Sequence, residues 1–167
     1  MSFLKNLFGG GGKSKTELFT PPPPPSDEAV TQTESVLKIK FPKSFVSLLR
    51  KSCPMQLPLC AKFYWIGTDS MGMGNIISAN RQERLESSSP LPDFLVAFYN
   101  DGMGNHVCFD TRRRTESGEH PIVFWDHELE ADENLAASEH EAENRESAGR
   151  IAQSFPDWLK HICPTLE

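Results

Sequence analysis

FYNDGMGNHVCFD, Phe98 to Asp110, reads as two strands joined by a tight turn. The glycines, Gly102 and Gly104, stand where a hairpin needs residues tolerant of positive φ. On either side lie residues that favour a pleated surface: FLVAFYN (94–100) and NHVCFD (105–110) are rich in aromatic and β-branched side chains. The same signature recurs outward, bounded by Gly, Pro, Asn, Asp or Ser, in AKFYWIG (61–67), NIIS (75–78) and PIVFWDH (121–127). These predict about five strands, with NRQERLES a short helix between the second and third.

Helical signals flank the strands. Ser26 is placed to cap a helix whose first turn holds Asp27 and Glu28, and that helix should end near Lys40 because Pro42 constrains the residue before it. Pro42 suits the first turn of a second helix, in which Phe41, Phe45, Leu48 and Leu49 share one face. At the other end, Ile151, Phe155, Trp158, Leu159 and Ile162 recur at helical spacing, with Ser154 as cap and Pro156 and Asp157 in the first turn. Helices at both ends of the chain and strands between them predict an α+β fold, a single twisted and mostly antiparallel sheet with helices packed on it. The domain should run over 26–167. Residues 1–25, with GGGG at 9–12 and PPPPP at 21–25, have the composition of a flexible tail.

Charge is uneven. Residues 26–125 hold eleven acids and eleven bases, whereas 126–147 hold nine acids and a single Arg. That acidic stretch repels nucleic acid and attracts basic protein surfaces. RRR at 112–114 is the one basic cluster, and no strand offers the spaced aromatic and basic residues of a base-stacking platform. Cys53, Cys60, Cys108 and Cys163 form no C-x-x-C pair, which predicts reduced thiols and a cytoplasmic setting. No stretch reaches the roughly 18 apolar residues of a membrane span.

Motifs that suggest chemistry fail on inspection. GGGGKS (9–14) would need Gly at position 7 to be a phosphate-binding loop, and Leu7 stands there. DHE (126–128) and HEAEN (140–144) lack the second His of a zinc-protease helix, with Ala131 and Asn144 in its place. Alternation along a strand puts His106, Cys108 and Asp110 on one face. A nucleophilic triad needs the acid beside the base, but here Asp110 flanks the thiol and would raise its pKa. The sequence therefore predicts no catalytic residue, no metal site and no cofactor.

Two stretches together resemble the SUKH superfamily. TESVLKIKFPKSFVSLLRKS (33–52) is similar to its opening helix, followed by an [LF]-P-x-x-[YF] step into a second helix. LVAFYNDGMGNHVCFDTRRRTESGEHPIVFWDHE (95–128) resembles its central signature: a strand, an Asp/Asn-Gly-x-Gly turn, a strand ending in Asp, a variable loop, and a P-[VI]-x-x-[WY]-x-H-E strand. IAQSFPDWLKHI is similar to its closing helix. The motif positions are Pro42, Phe45, Gly102, Gly104, Asp110, Pro121 and Trp125. Two departures stand out: RKSCP (50–54) replaces the usual Asn-Gly pair, and Gly104-Asn105-His106 replaces Gly-Asp-Tyr.

The resemblance implies a non-enzymatic interaction module. Bacterial members are mostly immunity proteins that bind and block a cognate toxin, often a nuclease; fungal members regulate cell-wall synthesis. A basic toxin domain as partner agrees with the acidic stretch, and the contact candidates are Asp126, Glu128, Glu130, Asp132 and Glu133, with Asp101 and Asp93 outside it. The alternative is a regulatory scaffold with no toxin, its Pro-rich tail docking on another protein.

Overall fold

The computed structural model describes residues 23–51, 62–67, 74–129 and 150–162. Among them are four helices, α1 (Asp27–Leu37), α2 (Lys43–Lys51), α3 (Ile76–Leu85) and α4 (Phe155–Ile162). Five strands, β1 (Lys62–Phe63), β2 (Leu95–Asn100), β3 (His106–Asp110), β4 (Ile122–Trp125) and β5 (Arg150–Ala152), form one sheet. The strands lie in chain order across it, and every pairing is antiparallel. The α+β architecture with helices at both ends is as the sequence predicts.

Local chemistry explains most element boundaries. Ser26 accepts a hydrogen bond from Ala29 N–H at 3.1 Å and caps α1. The helix stops three residues short of Lys40, because Lys38 adopts a left-handed conformation (φ 55°). Pro42 precedes α2, and its carbonyl receives Val46 N–H. Ser154 caps α4, accepting from Asp157 N–H.

Two sequence readings are corrected. NIIS is not a strand: Asn75 caps α3, its side-chain oxygen accepting from Ile77 and Ser78 N–H at 2.8 and 3.1 Å. The β-branched pair Ile76-Ile77 favours a strand locally, but a filled cap and burial of Ile76 against the sheet decide for helix. Ile151 does not belong to the last helix either. It lies in β5, which occupies the edge of β4, and its side chain is exposed. Of AKFYWIG, only Lys62–Phe63 joins the ladder; the chain then leaves the sheet at Trp65, which bridges to Asn75.

The core is aromatic. Phe45 of α2 is fully buried among Phe41, Phe98, Phe109 and Phe155, at ring separations of 5.2–5.7 Å. Phe98 stacks on Phe109 at 4.2 Å. The register between β2 and β3 shifts between Ala97 and Tyr99, leaving Phe98 as the extra residue of a bulge. Phe98 and Tyr99 consequently both reach Trp158 of α4, each at 5.1 Å, instead of pointing to opposite faces.

Where β1 ends, α3 takes over the edge of β2. The side chain of Asn80 donates to Ala97 C=O and accepts from Ala97 N–H, both at 2.8 Å, so an amide stands in for a neighbouring strand. Nearby, Arg84 donates to Leu95 C=O at 2.8 Å.

Candidate protein-interaction surface

The turn between β2 and β3 is built on Asp101. Its carboxylate accepts from Met103 N–H (2.8 Å), Asn105 N–H (3.1 Å) and the Asn105 side-chain amide (2.8 Å). Gly102 and Gly104 hold φ of 86° and 104°, as the turn chemistry requires. Gly104 also makes room for His127, since a Cβ there would lie 2.9 Å from the imidazole Cε1. The imidazole Nδ1–H in turn donates to Asn105 Oδ1 at 2.9 Å. Asn105, where the superfamily pattern carries Asp, thus links the hairpin to the chain leaving β4.

That exit begins the acidic stretch. Asp126 accepts from Glu128 N–H at 2.9 Å, and the carbonyl of Leu129 receives Ser89 Oγ–H at 2.8 Å. Asp101, Asp126 and Glu128 therefore share one end of the sheet with the tip residue Met103, whose side chain is 75% exposed. Asp101 is half-buried, and its carboxylate is committed to its turn. Asp93 is exposed but stands before β2, at the opposite end of that strand, 3.8 Å from Arg84. Glu130, Asp132 and Glu133 lie outside the described residues.

The motif residues hold the scaffold behind this end. Asp110, at the close of β3, is buried and accepts from Arg112 N–H, Nε and a terminal guanidinium nitrogen at 3.0–3.1 Å. The same guanidinium lies 3.9 Å over the Phe94 ring. Pro121 is buried and receives Asp110 N–H on its carbonyl, and Trp125 pairs directly across from His106.

His106, Cys108 and Asp110 are each committed elsewhere. Cys108 is fully buried, and desolvation pushes its thiol far above the ordinary range. His106 Nδ1 meets the Tyr64 hydroxyl at 3.2 Å, and Nε2 faces the Glu83 carboxylate at 3.3 Å without hydrogen-bond geometry. Burial lowers its pKa, opposed by Glu83. Burial likewise raises the pKa of Tyr64. The strand face foreseen for these three residues exists, but its polar groups are engaged structurally, His106 with Tyr64 and with Glu83 of α3 and Asp110 with Arg112. Among the described residues, no three His, Cys, Asp or Glu side chains converge as metal ligands, and no helix is long and apolar enough to cross a membrane.

Sequence reasoning overlooked the long-range clamps. Glu119 accepts from Ser44 Oγ at 2.7 Å and from Phe155 N–H at 3.3 Å, tying α2 to α4. His120 bridges Arg113 C=O (2.7 Å) and Lys40 C=O (3.1 Å). Neither residue has a local signal, since its partners lie up to 80 positions away in the chain.

The SMI1 / KNR4 family (SUKH-1) model matches residues 24–161, from the approach to α1 into α4. The chain belongs to this family. A search of curated proteins finds no match. Membership in the SMI1/KNR4 family supports a toxin-immunity or related protein-interaction module, and the order of turns, strands and helices above is the scaffold that carries it.

Proposed function

We propose that this SMI1/KNR4-family chain is a non-enzymatic immunity protein of the cytoplasm that binds and neutralises a basic toxin domain. The observation carrying this reading is the convergence of Asp126, Glu128 and the Met103 tip at one end of a rigid sheet, where the acidic stretch 126–147 begins. A compact hairpin braced by Asp101, Asn105 and His127 holds its shape before binding, which lowers the ordering cost of association. The acidic stretch steers a basic partner, and Glu128, Glu130, Asp132 and Glu133 plug its cationic cleft, with Met103 as the apolar contact. Blocking is steric and electrostatic, and the chain itself performs no reaction.

The test is charge reversal of Glu128, Glu130 and Asp132 to Lys, with a toxin domain encoded beside this gene as partner. Association should slow at least about tenfold at low salt, lose most of its salt dependence, and no longer rescue cells that express the toxin. Unchanged affinity and unchanged salt dependence would remove the acidic surface from the mechanism.

A further inference from the structure

Away from the hairpin, a groove of about 410 Å³ lies between α1 and α3. Val36 and Leu37 line it from α1, Ile77, Arg81, Arg84 and Leu85 from α3, and Leu91 and Asp93 complete the lining. Val36 is 57% exposed and Leu85 70%, so two of the five large exposed apolar side chains among the described residues meet in this groove. We propose that the groove receives the N-terminus of the same chain, with Phe3, Leu4, Leu7 and Phe8 as the inserted side chains.

Three observations favour this occupant over others. Those four residues follow an i, i+1, i+4, i+5 spacing, which gathers them on one helical face and leaves Lys5 and Asn6 on the other. Five of the eight residues lining the groove are aliphatic, a surface suited to apolar side chains, and its charged lining is Arg81, Arg84 and Asp93. The tether also has the right length. Pro25 is buried, and its carbonyl is held by Arg50 Nε at 3.2 Å, which fixes where the chain departs. From there to Val36 is little more than the length of α1, about 15–20 Å at 1.5 Å per residue. Residues 9–22 would span about 20 Å on average as a flexible coil and up to about 45 Å fully extended. A tether whose mean reach matches the required span gives a local concentration in the millimolar range, enough for a small apolar contact. Docking of the tail is independent of the toxin reading, because it uses α1 and α3 and leaves the hairpin end open.

The test places a photoreactive p-benzoylphenylalanine at Val36 or, separately, at Leu85 in the full chain; both positions are exposed, and the two walls provide independent probes. Irradiation of a mixture of light and isotopically heavy chains, followed by peptide mapping, should give adducts within residues 3–8 of the same chain. The double variant Phe3→Ser, Leu7→Ser should reduce their yield at least about tenfold. Adducts only to residues 130–149 or to a second chain overturn the proposal. So does the absence of any adduct in residues 3–8 from both probes, or an unchanged yield in the double variant.

Discussion

Replacing Asn80 with Ala should be among the most damaging single changes in this chain, although it touches no candidate contact residue. Asn80 and Ala97 are both fully buried. Asn80 supplies three hydrogen bonds of 2.8 Å: to Ile76 C=O, to Ala97 C=O and from Ala97 N–H. Ile76 C=O keeps its helical partner after truncation. Ala97 loses both of its side-chain partners at the point where β1 has already left the ladder. Each orphaned backbone group costs about 1–3 kcal/mol, and relief from burying the Asn amide returns part of that. The net loss should be about 2–4 kcal/mol, a large share of the stability of an ordinary domain. Urea unfolding followed by fluorescence of the buried Trp65, Trp125 and Trp158 reports it directly. With a typical urea slope, the midpoint should fall by about 1–2 M with the slope unchanged. Asn80→Asp keeps an acceptor for Ala97 N–H but sets a carboxylate against Ala97 C=O. Its folded-state pKa is therefore raised, and the variant should lose stability as pH rises from about 4 to 7. A midpoint shift under about 0.3 M for Asn80→Ala would refute the idea that this amide replaces a strand.

Other expectations follow from the same geometry. Gly104→Ala should cost about 2–3 kcal/mol, since φ is +104° and the new Cβ meets the braced His127 ring; Gly118→Ala meets only the flexible end of Arg114 and should cost less, a ranking that thermal or urea unfolding checks. His106 has a folded pKa depressed by burial, so the unfolded chain binds more protons as pH falls below about 6.5. Stability should therefore drop on acidification through that point, and His106→Gln should flatten this segment of the stability–pH curve; an unaltered slope would place the titration elsewhere. Cys108 should resist iodoacetamide in the folded protein and react only at the rate of global opening, as read by peptide mapping across a urea series. Rapid alkylation in the absence of urea would contradict its burial. The ion pair of Arg50 with Asp27, whose carboxylate is 94% exposed, should change stability by less than about 1 kcal/mol when Asp27 is replaced by Ala.

Much of this molecule is written in short-range chemistry. Ser26 and Ser154 are caps because a hydroxyl satisfies amide groups within three residues, and Gly102 and Gly104 make the hairpin because positive φ excludes a side chain cheaply. Aromatic strands and the helical spacing of Phe41, Phe45 and Leu49 mark the core for the same reason: period and burial are properties of neighbours in the chain. Those signals sufficed for the α+β class and for the turn bearing the family signature. They were insufficient wherever two local states compete. Residues 75–78 have strand-forming side chains, yet cap geometry and the open edge of β2 make them a helix start. Ile151 fits the periodicity of α4, yet the free edge of β4 takes it into the sheet. The surface divides in the same way. Asp101 acquires its hydrogen bonds only when its turn is assembled around it, and Asp93 is separated from Asp126 by the direction in which β2 runs. The clamping roles of Glu119, His120 and Asn80 carry no local mark, because the distant partners Ser44, Lys40 and Ala97 are brought to them only by tertiary packing.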